Sequence, residues 1–171
     1  MIKQTPWFER KFDFNFPVGL FPIIVERLRG TLLHLKAMVE NISGEKLTIK
    51  KDGKWSVKEI VGHLYDLEEL WSGRIDDFLD RNKTLRAADL TNTKTNEAGH
   101  NSKTSAELLE QFSIARNDLI RKVENLDEVS VTITSLHPRL KQPMRLIDSL
   151  FFIAEHDDHE LTKIRQLLND R

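Results

Sequence analysis

Three features of the 171-residue sequence predict an all-α protein built as a four-helix bundle. Apolar residues recur at three- and four-residue steps along four long segments, most of them bounded by a capping or stop signal. Only one short stretch, Val129 to Ser135, has a β-branched composition suited to a strand. Four amphipathic stripes are buried most simply against one another. At roughly 100–200 residues per domain, a single bundle domain over residues 1–171 is expected. A long loop joins its second and third helices, and a short extended segment precedes the fourth.

The elements follow in order. Through Phe12-Asp13-Phe14-Asn15-Phe16-Pro17 aromatic and polar side chains alternate, as in an extended segment laid over a core. From about Val18 to Ile42 the positions Leu20, Ile23, Ile24, Leu28, Leu32, Leu35 and Met38 mark a first helix, and Ser43-Gly44 stops it. Ser56-Val57-Lys58-Glu59 is a capping box, in which Ser and Glu satisfy each other's free amides, with Trp55 placed to pack back on it. The second helix then runs to about Asp80 on Val57, Ile60, Val61, Leu64, Leu67, Trp71, Ile75 and Phe78. Asn82 to Lys103 shows no sustained period and reads as a loop of a length that is often functional. A second capping box, Thr104-Ser105-Ala106-Glu107, opens a third helix to about Leu126, with Ile114 counted in its stripe. Pro143 suits the first turn of a last helix that continues to about Asn169 through Leu146, Leu150, Ile153, Leu161, Ile164 and Leu168.

Composition narrows the function. Lys and Arg number 26 against 27 Asp and Glu, a formal charge of -1, so no global field favours nucleic acid or an anionic membrane. The apolar run Leu150 to Ala154 is far shorter than the roughly 20 residues of a spanning helix, and Met1 to Arg10 lacks a signal-peptide core. A cytoplasmic protein with neither nucleic acid nor membrane as partner is expected. With no cysteine, the chain has no disulfide, no thiolate metal ligand and no sulfur nucleophile of its own. Any thiol chemistry must use a thiol brought in by a cosubstrate. No glycine-rich phosphate loop and no G-x-S-x-G elbow is present.

Six histidines remain. His63 borders the buried stripe of the second helix beside Leu64. In the last helix Glu155-His156-Asp157-Asp158-His159-Glu160 interrupts the apolar face with six polar side chains. At roughly 100° per residue, Asp157 continues the Leu150/Ile153/Leu161 stripe and His156 and Glu160 flank it. Unpartnered burial of such groups costs several kcal/mol, so this stretch faces a polar cavity, a metal or other polar side chains. His156 pairs with Glu160 at i,i+4 and with His159 at i,i+3, and His63 completes a three-point site with donors suited to Zn, Ni or Fe. Asp66, Asp157 and Asp158 are placed to orient a ligand imidazole. His34 reads as structural or surface, His137 before Pro138 as solvent-facing, and His100 as stabilising the long loop.

The chain resembles the DinB/YfiT-like superfamily of metalloenzymes over nearly its whole length. The resemblance rests on Glu26-Arg27-Leu28-Arg29-Gly30-Thr31, on Lys54-Trp55-Ser56-Val57-Lys58-Glu59-Ile60-Val61-Gly62-His63-Leu64, on Ala87-Ala88-Asp89-Leu90-Thr91-Asn92 and on Ala154-Glu155-His156-Asp157-Asp158-His159. It implies a bundle of that type, holding a divalent metal through three histidines, one from the second helix and two from the last at i,i+4. His63 and His156 match; the third position is Glu160, with His159 its neighbour. A Glu can close a His₂Glu site. The implied activity is transfer of a low-molecular-weight thiol to a small electrophile, with a homodimer as the expected assembly. Two alternatives stand beside it: a non-catalytic, ligand-binding or stress-associated bundle whose altered triad no longer holds metal, and a metal-assisted hydrolase. Specificity is expected to reside in the long loop, at Asn92, Thr95, Asn96 and Asn101.

Overall fold

The two capping boxes read from the sequence start helices in the structure, a computed structural model that describes residues 2–169. Its helices are α1 (Phe21–Val39), α2 (Gly44–Leu47), α3 (Val57–Leu79), α4 (Thr93–Glu97), α5 (Ser105–Val123), α6 (Glu128–Val131) and α7 (Leu146–Asn169). Ser56 with Glu59, and Thr104 with Glu107, form complete capping boxes at the heads of α3 and α5. The long helices α1, α3, α5 and α7 make the four-helix bundle. Both α1 and α3 pack mainly on α5 and α7, so α1 and α3 sit at opposite corners and α3 shares a face with α7.

The apolar core falls into two layers. One joins Ile24 and Leu28 of α1 to Ile75 and Phe78 of α3, Leu119 of α5 and Leu150 of α7. The other joins Leu35, Leu64, Phe112 and Ile164 from the opposite halves of the same helices. Between them each helix contributes one polar residue: Thr31, Glu68, Arg116 and Asp157, all at most 3% exposed. Arg116 donates to Glu68 Oε1 at 2.6 Å, to Asp157 Oδ2 at 2.5 Å and to the Leu28 carbonyl at 3.2 Å, while Thr31 donates to Asp157 at 2.8 Å. Burial alone would lower the guanidinium pKa, but the charges of Asp157 and Glu68 outweigh it and hold Arg116 protonated. Asp157 therefore braces the bundle and does not orient His156. Asp158 is exposed and pairs with Arg27.

The N-terminal segment lies over α7 as its alternation suggested. Phe16 meets Phe151 at 5.1 Å between ring centroids, and Phe12 and Trp7 each meet Phe152 at 5.0 Å.

Several details depart from the sequence reading. Pro143 is not in the last helix but opens β2 (Pro143–Arg145), which pairs antiparallel with β1 (Thr134–Leu136). A fixed φ and a missing N–H suit the first residue of a short strand as well as a helix start. The Arg145 amide donates to Asp148 Oδ2 at 2.7 Å, and its guanidinium holds the Phe14 and Phe16 carbonyls, so α7 begins only after it. Of the β-branched run, Val131 closes α6, capped by Asp127. The long loop contains α4 and a 3-10 turn at His100–Ser102. Ile114 is 59% exposed, since Phe112, Arg116, Leu119 and Val123 define the buried face of α5. His34 is exposed. His137 is 2% exposed rather than solvent-facing, because backbone amides of its own turn and Arg74 of α3 enclose the ring.

Candidate metal centre

α3 and α7 run side by side, and the polar interruption of α7 meets the N-terminal half of α3 here. His63, His156 and Glu160, all at most 5% exposed, offer ligand atoms within 4.8 Å of one another. Among the described residues these are the group of His and carboxylate side chains that could hold a metal ion. They line a cavity of about 460 Å³ whose walls include Trp7, Trp55, Trp71 and Phe152. Ligand atoms around an ion with bonds of about 2.1 Å lie roughly 3.4 Å apart in a tetrahedral site, so side-chain rotations of about an ångström bring the three together.

Each side chain is held for a reason that can be traced. Trp55, just before the Ser56 cap, lies 4.7 Å from the His63 ring, and its indole N–H donates to Asn96 Oδ1 at 3.0 Å. His63 Nδ1 faces Thr95 Oγ1 at 3.2 Å, and Thr95 donates to Asp66 Oδ2 at 2.9 Å. His100 Nε2 reaches the same oxygen at 2.8 Å. In this chain the network assigns the proton to His63 Nδ1, leaving Nε2 as the lone-pair donor. Asp66 thus acts on His63 through Thr95. Gly62 makes room for the arrangement: a Cβ there would stand 2.2 Å from the His100 ring.

His156 is packed between Trp7 at 4.9 Å and Trp71 at 5.9 Å, with His63 at 5.4 Å. Its Nδ1 and Glu160 Oε2 are buried without a hydrogen-bond partner among the described residues. Lys163 donates to Glu160 Oε1 at 2.8 Å. Burial, reinforced by the Lys163 charge, lowers His63 to about 4, and burial holds His156 well below its ordinary value. Burial raises Glu160 against the opposing pull of Lys163. Two neutral imidazoles, a carboxylate and unpartnered buried polar atoms fit a divalent cation.

The remaining expected residue, His159, is turned away. Its Nδ1 contacts Gln4 Nε2 at 2.9 Å and its ring meets Trp7 at 5.5 Å. Of the loop residues, Asn92 lines the cavity, as do Ala87, Asp89 and Leu90. Asn96 and Asn101 are committed to Trp55 and Ser56. Sequence reasoning missed Lys163, Arg74 and Arg139 as cavity residues. Lys163 carried a signal, being i+3 from Glu160, and so did Arg74, a charge set inside the Trp71/Ile75/Phe78 stripe.

No helix among the described residues is long and apolar enough to cross a membrane. No curated protein matches the sequence. In fold, the chain is similar to YfiT from Bacillus subtilis, described as a probable metal-dependent hydrolase with an unusual four-helix bundle topology. The TM-score is 0.83 at 19% identity, covering 95% of this chain and 93% of that one. It is also similar to the mycothiol-dependent maleylpyruvate isomerase, with a TM-score of 0.68 at 8% identity over 88% of this chain but 61% of the other. Residues 25–164, spanning all four long helices in whole or part, match the sequence model of the DinB superfamily, and the chain belongs to that superfamily.

Proposed function

We propose that this protein is a divalent-metal-dependent enzyme that transfers a low-molecular-weight thiol to a small electrophile, with His63, His156 and Glu160 as the metal ligands. The observation that carries the reading is the convergence of these three buried side chains on one cavity. Zn, Ni and Fe all suit two imidazoles and a carboxylate. A bound ion with an open position lowers the pKa of a thiol or a water brought to it. His63 and His156 stay neutral in their buried setting and so are ready to donate lone pairs. Trp7, Trp71 and Phe152 supply apolar walls that exclude water around a small electrophile.

A thiol is favoured over water because it ionises more easily. Among the described residues, the lining has one carboxylate besides Glu160, that of Asp89, whose oxygens take Thr91 and Thr93 donors. In a site without a free carboxylate base, a thiol, with an ordinary pKa of about 8.5, reaches its anion at neutral pH with a far smaller shift than water needs. The chain has no cysteine, so the sulfur comes from the cosubstrate, and the fold's likeness to a mycothiol-dependent isomerase supports a thiol partner. Hydrolysis is the second reading, supported by the fuller likeness to YfiT. A cytoplasmic homodimer belongs to the same proposal.

Protein purified without a histidine tag, reconstituted with Zn²⁺, Ni²⁺, Fe²⁺ or Mn²⁺, is expected to bind one ion per chain and to conjugate thiols to a panel of electrophiles. Substoichiometric metal after all four reconstitutions overturns the metal reading in favour of a non-catalytic bundle. Ester or amide turnover without thiol consumption selects the hydrolase.

A further inference from the structure

Two arginines are almost completely buried, at 2% exposure each, and they are treated in opposite ways. Arg116 is neutralised by Glu68 and Asp157. Arg74 hydrogen-bonds no carboxylate among the described residues. Its Nε donates to the Arg86 carbonyl at 3.1 Å, and the one nearby acid, Asp77, is bound to Arg86 and Asn82. Burial works against the guanidinium charge; Asp77 offsets part of this without a hydrogen bond to it, and Arg139, which lines the same cavity, repels it.

The neighbours of Arg74 are also donors. His137 Nδ1 accepts the Arg139 and Leu140 amides at 3.2 and 3.1 Å, so its neutral ring carries the proton on Nε2. That Nε2 faces Arg74 Nη1 at 3.2 Å, one donor against another. Arg139 Nη2 and Trp71 Nε1 are buried with no hydrogen-bond partner among the described residues. Arg139 is fixed between Phe8 and Phe152, at 5.3 and 5.7 Å from their ring centroids. All four residues line the cavity that also holds His63, His156 and Glu160. The Trp71 indole lies 5.4 Å from the Arg74 guanidinium carbon and 5.9 Å from the His156 ring, so one side chain's width separates the cationic end from the candidate metal end.

We propose that Arg74, Arg139 and His137 form an oxyanion subsite, and that the molecule this cavity takes carries a carboxylate or phosphate at that end with its reactive group toward His63 and His156. An oxyanion accepts from several donors at once and supplies the hydrogen-bonded counter-charge that Arg74 lacks, and guanidinium groups match both anions bidentately. The chain of donors extends from Arg74 through His137 to Arg139, while Trp71 and Phe152 wall the apolar part of the ligand. The proposal deepens the enzymatic reading by naming a substrate class, and as a statement about binding it is tested without metal.

Hexanoate, hexyl phosphate and the neutral hexanamide are titrated into the full metal-free chain, followed by calorimetry and by the fluorescence of Trp7, Trp55 and Trp71. At least one anion is expected to bind roughly tenfold or more tightly than the amide, and the stronger of the two identifies the carboxylate or phosphate source. That preference should be lost in Arg74→Gln, weakened in the less buried Arg139→Gln, and largely kept in Arg74→Lys and His63→Ala. Thermal unfolding of each variant checks that the fold survives, and Arg139→Gln carries the test if Arg74→Gln does not fold. Equal binding of all three probes to the wild type, or anion preference that survives both Gln variants, overturns the subsite. Loss in His63→Ala alone overturns it too, by placing the anion on the ligand cluster. If metal binding fails while the preference stands, the metal reading falls and the subsite remains.

Discussion

Lys163 Nζ donates a 2.8 Å hydrogen bond to Glu160 Oε1, so a lysine one turn further along α7 sits on the same carboxylate that meets His63 and His156. Glu160 is 2% exposed, and burial raises its pKa. The ammonium lowers the cost of keeping that carboxylate charged. It also competes with any cation that takes the same oxygen.

Lys163→Met should therefore tighten Zn²⁺ or Ni²⁺ binding by roughly tenfold while lowering the stability of the metal-free chain. Competition titration against a chromophoric chelator reads the first, and urea unfolding the second. Weaker metal binding in Lys163→Met would show that the lysine supports the site instead of competing for it.

The pair Glu160 and His159 can be ranked by substitution. Because Gln4 and Trp7 hold His159, His159→Ala should change metal affinity by no more than about twofold. Glu160→Ala should weaken it by roughly a hundredfold, and Glu160→His should retain it. The reverse order would move the third ligand to His159.

Thr95 connects His63 to Asp66, and Thr95→Val removes both bonds at nearly constant volume. Loss of a partner that orients a ligand imidazole costs about 10–100-fold in metal affinity. The same loss is expected here, with circular dichroism unchanged. Full affinity in Thr95→Val would mean that packing against Trp55 alone orients His63.

How much of this was legible in the sequence depended on range. Ser56 with Glu59 and Thr104 with Glu107 act across three residues, so the helix starts were readable. The polar interruption of α7 was readable because four of its six residues are buried on one helix. Choosing between His159 and Glu160 was not, since Gln4, which occupies His159, lies 155 residues away. Arg74 buries His137 across 63 residues, and Thr95 reaches His63 across 32. Pro143 carried a local signal that two local structures satisfy equally well, and tertiary bonds from Arg145 decided between them.

Arg116 predicts a stability effect separate from the metal. Arg116→Met leaves Glu68 and Asp157 buried beside each other without a cation. Breaking one side of a buried ion network costs about 3–5 kcal/mol, which should appear as a matching drop in urea unfolding free energy at neutral pH. The triple variant Arg116→Met, Glu68→Leu, Asp157→Leu should recover most of it. No recovery would mean that the network contributes through more than compensation of its own charges.

The buried histidines give the stability a defined pH dependence. His137 is lowered from 6.5 to about 3, first by burial and then by the charges of Arg74 and Arg139. Below about pH 6.5 the unfolded chain takes up a proton at this ring that the folded chain refuses. The contribution is therefore fully present above pH 6.5, falls as the pH drops from 6.5 toward 3, and levels off once the folded ring protonates. The slope from this one group is at most about 1.4 kcal/mol per pH unit. His63 and His159, each lowered to about 4, act in the same direction. The carboxylates with lowered values, Asp66 and Asp77 among them, begin to matter only below their ordinary range near pH 4. Glu68 and Glu160, raised by burial above their ordinary 4.5, act in the opposite direction, so the comparison with His137→Gln, which leaves both in place, isolates the ring. Urea unfolding of the metal-free chain from pH 6.5 to 5 should show a more steeply falling profile in the wild type than in His137→Gln. Identical slopes for the two proteins would mean that the folded ring accepts a proton beside Arg74 and Arg139.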